Sequence, residues 1–235
     1  MNRETIEIFI DKFIHQQGYL LTLQGLKNTL IISILGLIIG FILGVVITTI
    51  KLIPSNKIWK KALNGLCGAY VTVIRGTPLL VQLLLFHFAV FPLLGINISY
   101  LAEAVLIYGF NSSAYMAEAL RGGINSVDKG QFEAGRALGF SFFQTMFKIV
   151  LPQAIKNVLP TLGNEFIALI KETSVANLIA VTDLTRSLTA IAESTYDYFI
   201  PYIVLALIYL ILVMVIAYVI KLTERRMGVN ANWFN

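Results

Sequence analysis

"EAGRALGFSFFQTMFKIVLP", residues 133–152, is the stretch on which the reading of this chain turns. It begins with one carboxylate among small residues and carries two glycines, four phenylalanines and a closing proline. Its start is too polar to span a membrane, and its second half is too aromatic for a solvated loop. Glu133, Ala134 and Gly135 form a small-residue helical patch with one acid. Gly139 suits the left-handed residue that ends such a helix. Ser141 is placed to cap a second short helix bearing Phe142, Phe143, Met146 and Phe147. Pro152 is tolerated in a first helical turn, so Leu151-Pro152 is expected to open the next helix. The expected form is two short helices at an angle, one small-faced and one aromatic. Residue types alone leave two roles open: a docking surface for a cytosolic partner, or a hairpin folded back on its own bundle.

The surroundings say where this hairpin sits. The chain is 57% hydrophobic and 13% charged with a mean hydropathy of +0.78. A soluble domain runs nearer 45–50% apolar and about 25% charged, so the composition predicts an all-α membrane protein. Five stretches are long and apolar enough to cross a bilayer, at about 26–50, 76–94, 100–120, 158–179 and 199–220. Their continuous rather than alternating apolarity argues against a β-barrel. Gly36, Gly40 and Gly44 lie four apart in the first, a flat stripe that another helix can approach closely. Residues 6–23 read as an amphipathic interfacial helix, so 1–24 is set apart as an N-terminal segment. Residues 56–74 read as a further interfacial or cytoplasmic helix leading into the second span. Glu4, Glu7 and Asp11 beside the first bases do not make a cleavable signal peptide, so the first span is expected to serve as an uncleaved insertion signal.

Twelve of the 18 basic residues fall in 51–61, 121–156 and the C-terminal tail. By the positive-inside rule these segments are cytoplasmic. Five crossings then put the N-terminus outside and the C-terminus inside, with 226–235 as a cytoplasmic tail and 121–156 as the largest cytoplasmic loop. This placement accounts for the net charge of +5, so nucleic acid is not an expected partner, whereas membrane lipid is. The single cysteine, Cys67, and two histidines 72 residues apart provide no metal site. GxxxxGK[ST], HExxH, GxSxG and CxxC are all missing from the sequence, so enzymatic chemistry has no evident residues.

The spacing of the hairpin resembles a known pattern. ABC importer permeases carry a cytoplasmic EAA-x3-G-x9-I-x-LP motif. Here Glu133-Ala134-Gly135 is followed at the same spacing by Gly139, Ile149 and Leu151-Pro152, with Gly135 where that family usually has Ala. Arg75-Gly76-Thr77-Pro78-Leu79-Leu80-Val81-Gln82 resembles the RGTPLLVQ segment of the polar amino acid uptake permeases. Ala114-Tyr115-Met116-Ala117-Glu118 with Arg121-Gly122-Gly123-Ile124 resembles their AYxAExxRGGI segment, and Lys171-Glu172-Thr173-Ser174 also fits. The resemblance covers about residues 25–225, taken as the transmembrane domain, and implies the type I ABC importer permease fold. It implies a second permease subunit, as a homodimer or sister chain, an ABC ATPase subunit docked at the EAA loop, and an external solute-binding protein. ATP and Mg are then expected on the partner ATPase, with no cofactor on this chain. On this reading Glu133, Ala134, Gly135 and Gly139 shape the ATPase contact, and Phe142 and Phe143 fill it.

Polar residues at membrane depth are functional candidates by default. On the second span these are Gln82 and the Thr77-Pro78 step, where Pro78 opens the helix beside Arg75; Arg75 and Pro78 are read as gating or structural. On the third they are Asn111 and Tyr115, four apart on one face, with helix–helix hydrogen bonding as the alternative for Asn111. The fourth span is richest: Asn164, Glu165, Glu172, Ser174 and Asn177, with a loosened pattern after Ser174 that suggests a broken helix. The resulting expectation is a transmembrane permease subunit, not an enzyme, of an ATP-driven importer of polar amino acids in the bacterial cytoplasmic membrane. The competing class is a non-transporting scaffold or receptor that recruits a cytosolic partner with the same loop.

Overall fold

The computed structural model describes residues 3–53 and 57–226, and every regular element among them is helical. The expected tail therefore lies outside the described residues from 227 onward. Helix α1 (Arg3–Ile10) continues as a π turn, Asp11–His15. The chain then reverses at Gln17, which is left-handed with φ 60°. Residues 6–23, read from sequence as one amphipathic helix, are thus split, and residues 18–23 belong to α2 (Gly18–Leu52). The Phe9 and Phe13 rings stack at 5.4 Å, and Phe9 joins a core with Leu184, Leu188 and Ile191.

Helix α3 (Ile58–Gly76) and α4 (Leu79–Leu93) meet at a bend of 108°. Pro78 causes it: the proline ring drives the preceding residue out of the helical region, and Thr77 is extended at φ −121°, ψ 143°. This matches the sequence expectation of a helix leading into a second span broken at Thr77-Pro78. Helix α5 (Tyr100–Asn125) starts at Ser99, whose Oγ accepts from the Ala102 N–H, and is the most buried helix. The glycine stripe of α2 packs on α5 within the same chain. A Cβ added at Gly36 would lie 3.2 Å from Tyr108 Cβ, one at Gly40 2.6 Å from Ser112 Cβ, and one at Gly44 2.5 Å from Met116 Cβ. At Gly40 and Gly44 only glycine permits that approach, and at Gly36 a Cβ would be tight.

Helix α6 (Lys129–Ala137) and α7 (residues 142–172) follow. The chain continues as a 3-10 helix, Thr173–Ile179, and turns at left-handed Ala180. Asp183 caps α8 (Leu184–Thr195), its Oδ1 and Oδ2 accepting from the Arg186 and Thr185 N–H groups at 2.8 and 3.0 Å. Helix α9 (Phe199–Arg226) ends the described chain. The polar residues of α2 have named partners. Asn28 Nδ2 donates to the Thr182 carbonyl at 2.8 Å, and Thr29 Oγ1 accepts from the Leu184 N–H at 3.2 Å. They tie α2 to the irregular turn that separates α7 from α8.

Among the described residues two helices, α2 and α9, are each long and apolar enough to cross a membrane, and the bent pair α3–α4 makes a third if counted as one span. Helices α5 and α7 are long enough, but Glu103, Asn111, Glu118 and Arg121 on one, and Lys156, Asn157, Asn164 and Glu165 on the other, lower their apolarity.

Candidate functional site

The hairpin is built from local caps. Asp128 Oδ1 accepts from the Gly130 N–H at 2.6 Å and opens α6. At its end Gly139 has φ +82°, and the Phe140 and Gly139 N–H groups donate to the Gly135 and Arg136 carbonyls at 3.1 and 3.0 Å. This is a Schellman stop, which a side chain at the left-handed position would strain. Ser141 and Gln144 form a reciprocal capping box, with Ser141 N–H to Gln144 Oε1 at 2.8 Å and Gln144 N–H to Ser141 Oγ at 3.2 Å. Both features follow the sequence reading.

Two others differ from it. The aromatic half is not a separate short helix: it runs through a π turn, Met146–Val150, straight into the long helix. Pro152 has no N–H to offer the carbonyl four residues back. The π turn absorbs that mismatch, with the Leu151 N–H bonding the Met146 carbonyl instead. Leu151-Pro152 is therefore a register change inside α7. Gly135 is the other difference. It is buried, and a Cβ there would lie 2.6 Å from Thr145 Cγ2 and 3.0 Å from Ile149 Cδ1. It faces the second half of the hairpin, whereas Glu133, Ala134, Gly139 and Phe143 face outward. Phe142 is half-buried, with its ring edge-on to Phe132 at 5.5 Å.

A second constellation lies between α3, α5 and α7. Arg75, Tyr115, Glu118, Thr161 and Glu165 line a cavity of about 350 Å³. The Arg75 guanidinium stands 5.4 Å from the centre of the Tyr115 ring. Glu118 gathers three cations. Its Oε2 accepts from Arg121 Nη2 and Nε at 2.7 and 3.1 Å and lies 3.8 Å from Arg75 Nη1, while Oε1 lies 3.8 Å from Lys51 Nζ. One carboxylate thus ties the ends of α2, α3 and α5. Two carboxylates and a guanidinium around one cavity offer complementary partners for an ammonium and a carboxylate on one small molecule.

The other sequence candidates lie elsewhere. Gln82 is buried and braces the bend: its Nε2 donates to the Ile74 carbonyl at 2.8 Å and to the carbonyl and hydroxyl of Thr77 at 3.0 and 2.9 Å. Its Oε1 accepts from Asn111 Nδ2 at 3.0 Å. Asn164 and Glu172 are exposed. Ser174 lines a separate cavity with Lys171, Thr185 and Tyr209. Asn177, half-buried, lies in the 3-10 turn, where its carbonyl accepts from the Ala180 N–H at 3.0 Å. Sequence reasoning missed Glu118, Arg121, Lys51 and Thr161 as site residues. The spacing of three between Glu118, which ends the AYMAE stretch, and Arg121, which opens RGGI, was the available signal.

Fold and cavity together describe a helical membrane component with a polar chamber and a capped hairpin. Residues 36–229 match the family model described as "binding-protein-dependent transport system inner membrane component". The chain belongs to that family. It is 39% identical over 207 residues to the putative glutamine transport system permease protein GlnP of Rickettsia conorii, covering 88% of this chain and 93% of that one. It is likewise 39% identical to the arginine transport system permease protein ArtQ of Bacillus subtilis, covering 88% and 93%. A crystal structure of an amino acid ABC transporter with histidines superposes with a TM-score of 0.83 at 41% identity, over 92% of this chain and 98% of that one. The inward-facing methionine ABC transporter MetNI superposes at 0.74 with 19% identity over 88% and 95%, a likeness of fold.

Proposed function

We propose that this chain is the permease subunit of an ATP-driven importer that carries polar amino acids across the bacterial cytoplasmic membrane. The observation that carries this is the cavity where Arg75 stands with Glu118 and Glu165. A zwitterionic amino acid has the charges to meet both. The named relatives, permeases of glutamine and arginine transport systems, support the substrate class.

On this reading the membrane domain spans residues 25–225 with five crossings, the N-terminus outside and the C-terminus in the cytoplasm. The charge bias supports it, and so does the shielding of α5: a buried helix tolerates polar residues that a lipid-facing one does not. Glu133, Ala134, Gly139 and Phe143 present the outer face of the hairpin to an ABC ATPase, while Gly135 and Phe142 hold the hairpin together behind it. ATP and Mg belong to that partner. An external binding protein delivers the amino acid, and a second permease subunit completes the translocation unit. ATP binding draws the ATPases together and shifts the bundle between inward- and outward-facing states. Tyr115 and Glu165 line the path and Arg75 gates it. Gln82, Asn111 and Pro78 maintain the bend beside it. Asn164, Glu172, Ser174 and Asn177 belong to later stations of the path.

The test is ATP-dependent uptake of labelled amino acids by proteoliposomes holding the chain with its ATPase and binding protein. Glu165→Gln is expected to change substrate affinity or rate while assembly persists. Glu133→Lys is expected to lower ATPase co-purification. Intact complexes that move no amino acid would overturn the transport reading.

A further inference from the structure

We propose that the second polar cavity, between the end of α7, α8 and α9, is a carboxylate site. It takes the α-carboxylate of the amino acid in transit, with Lys171 as its cation and side-chain hydroxyls as its donors. The inference rests on the transport reading above. It adds to the chamber around Arg75 a separate station that recognises one end of the substrate only.

The cavity holds about 330 Å³, at the low end of the range for small-molecule sites. Its polar lining comes from four elements. Lys171 lies at the end of α7, Ser174 in the 3-10 turn and Thr185 in the first turn of α8, while Tyr202 and Tyr209 stand on α9. Each of these side chains can donate a hydrogen bond, and no carboxylate is among them. The chamber around Arg75 has the opposite balance, with two carboxylates to one guanidinium.

These donors are largely unused within the chain. Lys171 makes no ion pair within 4 Å among the described residues, and its electrostatic neighbour is Glu172, the next residue along. The Ser174 and Tyr202 hydroxyls have no hydrogen-bond partner among the described residues. Thr185 Oγ1 and Tyr209 Oη share a long contact of 3.4 Å. The acid whose charge reaches Tyr209 is Asp183. It is fully buried, and its two oxygens accept from the Arg186 and Thr185 N–H groups.

On the proposed topology Lys171 belongs to the fourth crossing, where an unpaired ammonium is costly. An anion in the cavity neutralises it. A carboxylate has two oxygens that accept from several donors at once, and charge-assisted bonds of this kind are the strong ones. The ammonium of the same amino acid meets no carboxylate in this lining, so selection here is by the acid end alone.

The test uses the chain in complex with its ATPase in phosphatidylcholine nanodiscs, with Ser174→Cys in a Cys67→Ser background. N-Ethylmaleimide labelling at position 174, followed on the permease peptide by mass spectrometry, reads occupancy without requiring transport. The probes are L-glutamine and L-arginine, each compared with its decarboxylated amine, 4-aminobutanamide and agmatine. The amino acids are expected to slow labelling several-fold, and the amines to leave it unchanged. Lys171→Met is expected to abolish the protection and Lys171→Arg to keep it. With Ser174 intact, Lys171→Met is expected to raise the KM of uptake by proteoliposomes several-fold more than it lowers kcat. Equal protection by the amines, or protection that survives Lys171→Met, would overturn the site. So would slowed labelling on adding phosphatidylglycerol to the nanodisc without any amino acid, which would give the cavity to a lipid phosphate. Lack of protection in a complex that takes up amino acids would overturn the site and leave the transport reading standing. Carboxylate-dependent protection in a complex that moves no amino acid would uphold the site and refute the transport reading.

Discussion

Gly135→Ala isolates one atom of the hairpin motif. The resemblance places Ala at this position, but here the opposing residue is Thr145, fully buried and β-branched. An added Cβ would meet Thr145 Cγ2 at 2.6 Å and Ile149 Cδ1 and Thr145 Oγ1 at 3.0 Å. Thr145 has little room to yield, because a β-branched side chain is stiff at χ1. Overpacking of this kind costs about 1–3 kcal/mol. Alanine recovers up to about 1 kcal/mol of helix propensity over glycine. The net expectation is a loss of about 1–2 kcal/mol, with α6 pushed away from α7. Hydrogen exchange in the purified permease–ATPase complex reads this directly, and amide protection in residues 129–145 is expected to fall by roughly 5–30-fold. Thr145→Ala removes Cγ2 together with a buried hydroxyl that has no hydrogen-bond partner. The double variant is expected to regain protection, with a coupling energy of about 0.5–3 kcal/mol. Unchanged protection in Gly135→Ala, or no rescue by Thr145→Ala, would refute the claim that this glycine is set by its intramolecular neighbour.

Four further substitutions test the same packing and polar contacts. Gly40→Ala, with its Cβ 2.6 Å from Ser112, is expected to destabilise by about 1–3 kcal/mol; Gly65→Ala, which meets nothing within 4 Å, is expected to be neutral or stabilising by up to about 1 kcal/mol, as judged by thermal unfolding in detergent. Gln82→Leu strands the Asn111 amide and the donor-dependent Ile74 and Thr77 carbonyls, at about 1–3 kcal/mol for each group left unpaired, so the 108° bend is expected to loosen and protease cleavage near Thr77 to rise. Glu118→Gln breaks ion pairs whose cations are 30–48% exposed, so stability is expected to change by less than about 1 kcal/mol while the salt dependence of uptake flattens.

How much was legible in the sequence differs from one element to the next. The hairpin caps were readable because each joins residues within four or five positions: Ser141 with Gln144, and Gly139 with the carbonyls it closes. The bend at Pro78 was readable because proline acts on its immediate neighbour. The π turn before Pro152 was not, since the same proline is compatible with a fresh helix start or a register shift, and packing of Val150 and Ala154 against Val127 selects the latter. Gln82 and Asn111 looked like path residues from polarity alone. Their mutual bond, 29 positions apart, turns them into braces.

What the amino-acid sequence alone determined is the set of properties carried by composition and short spacing: an apolar helical chain, a capped two-part hairpin, a proline break and a positive face. What only the tertiary structure decided is which polar groups share a space. Arg75, Glu118 and Glu165 lie on three helices and come together because Val71 and Ile74 of α3 pack with Ala114 and Ala117 of α5, and Gly123 lets α7 close on α5. The physical reason is range. Caps and turns are fixed by bonds within a few residues, whereas a cavity is set by how closely distant helices can pack.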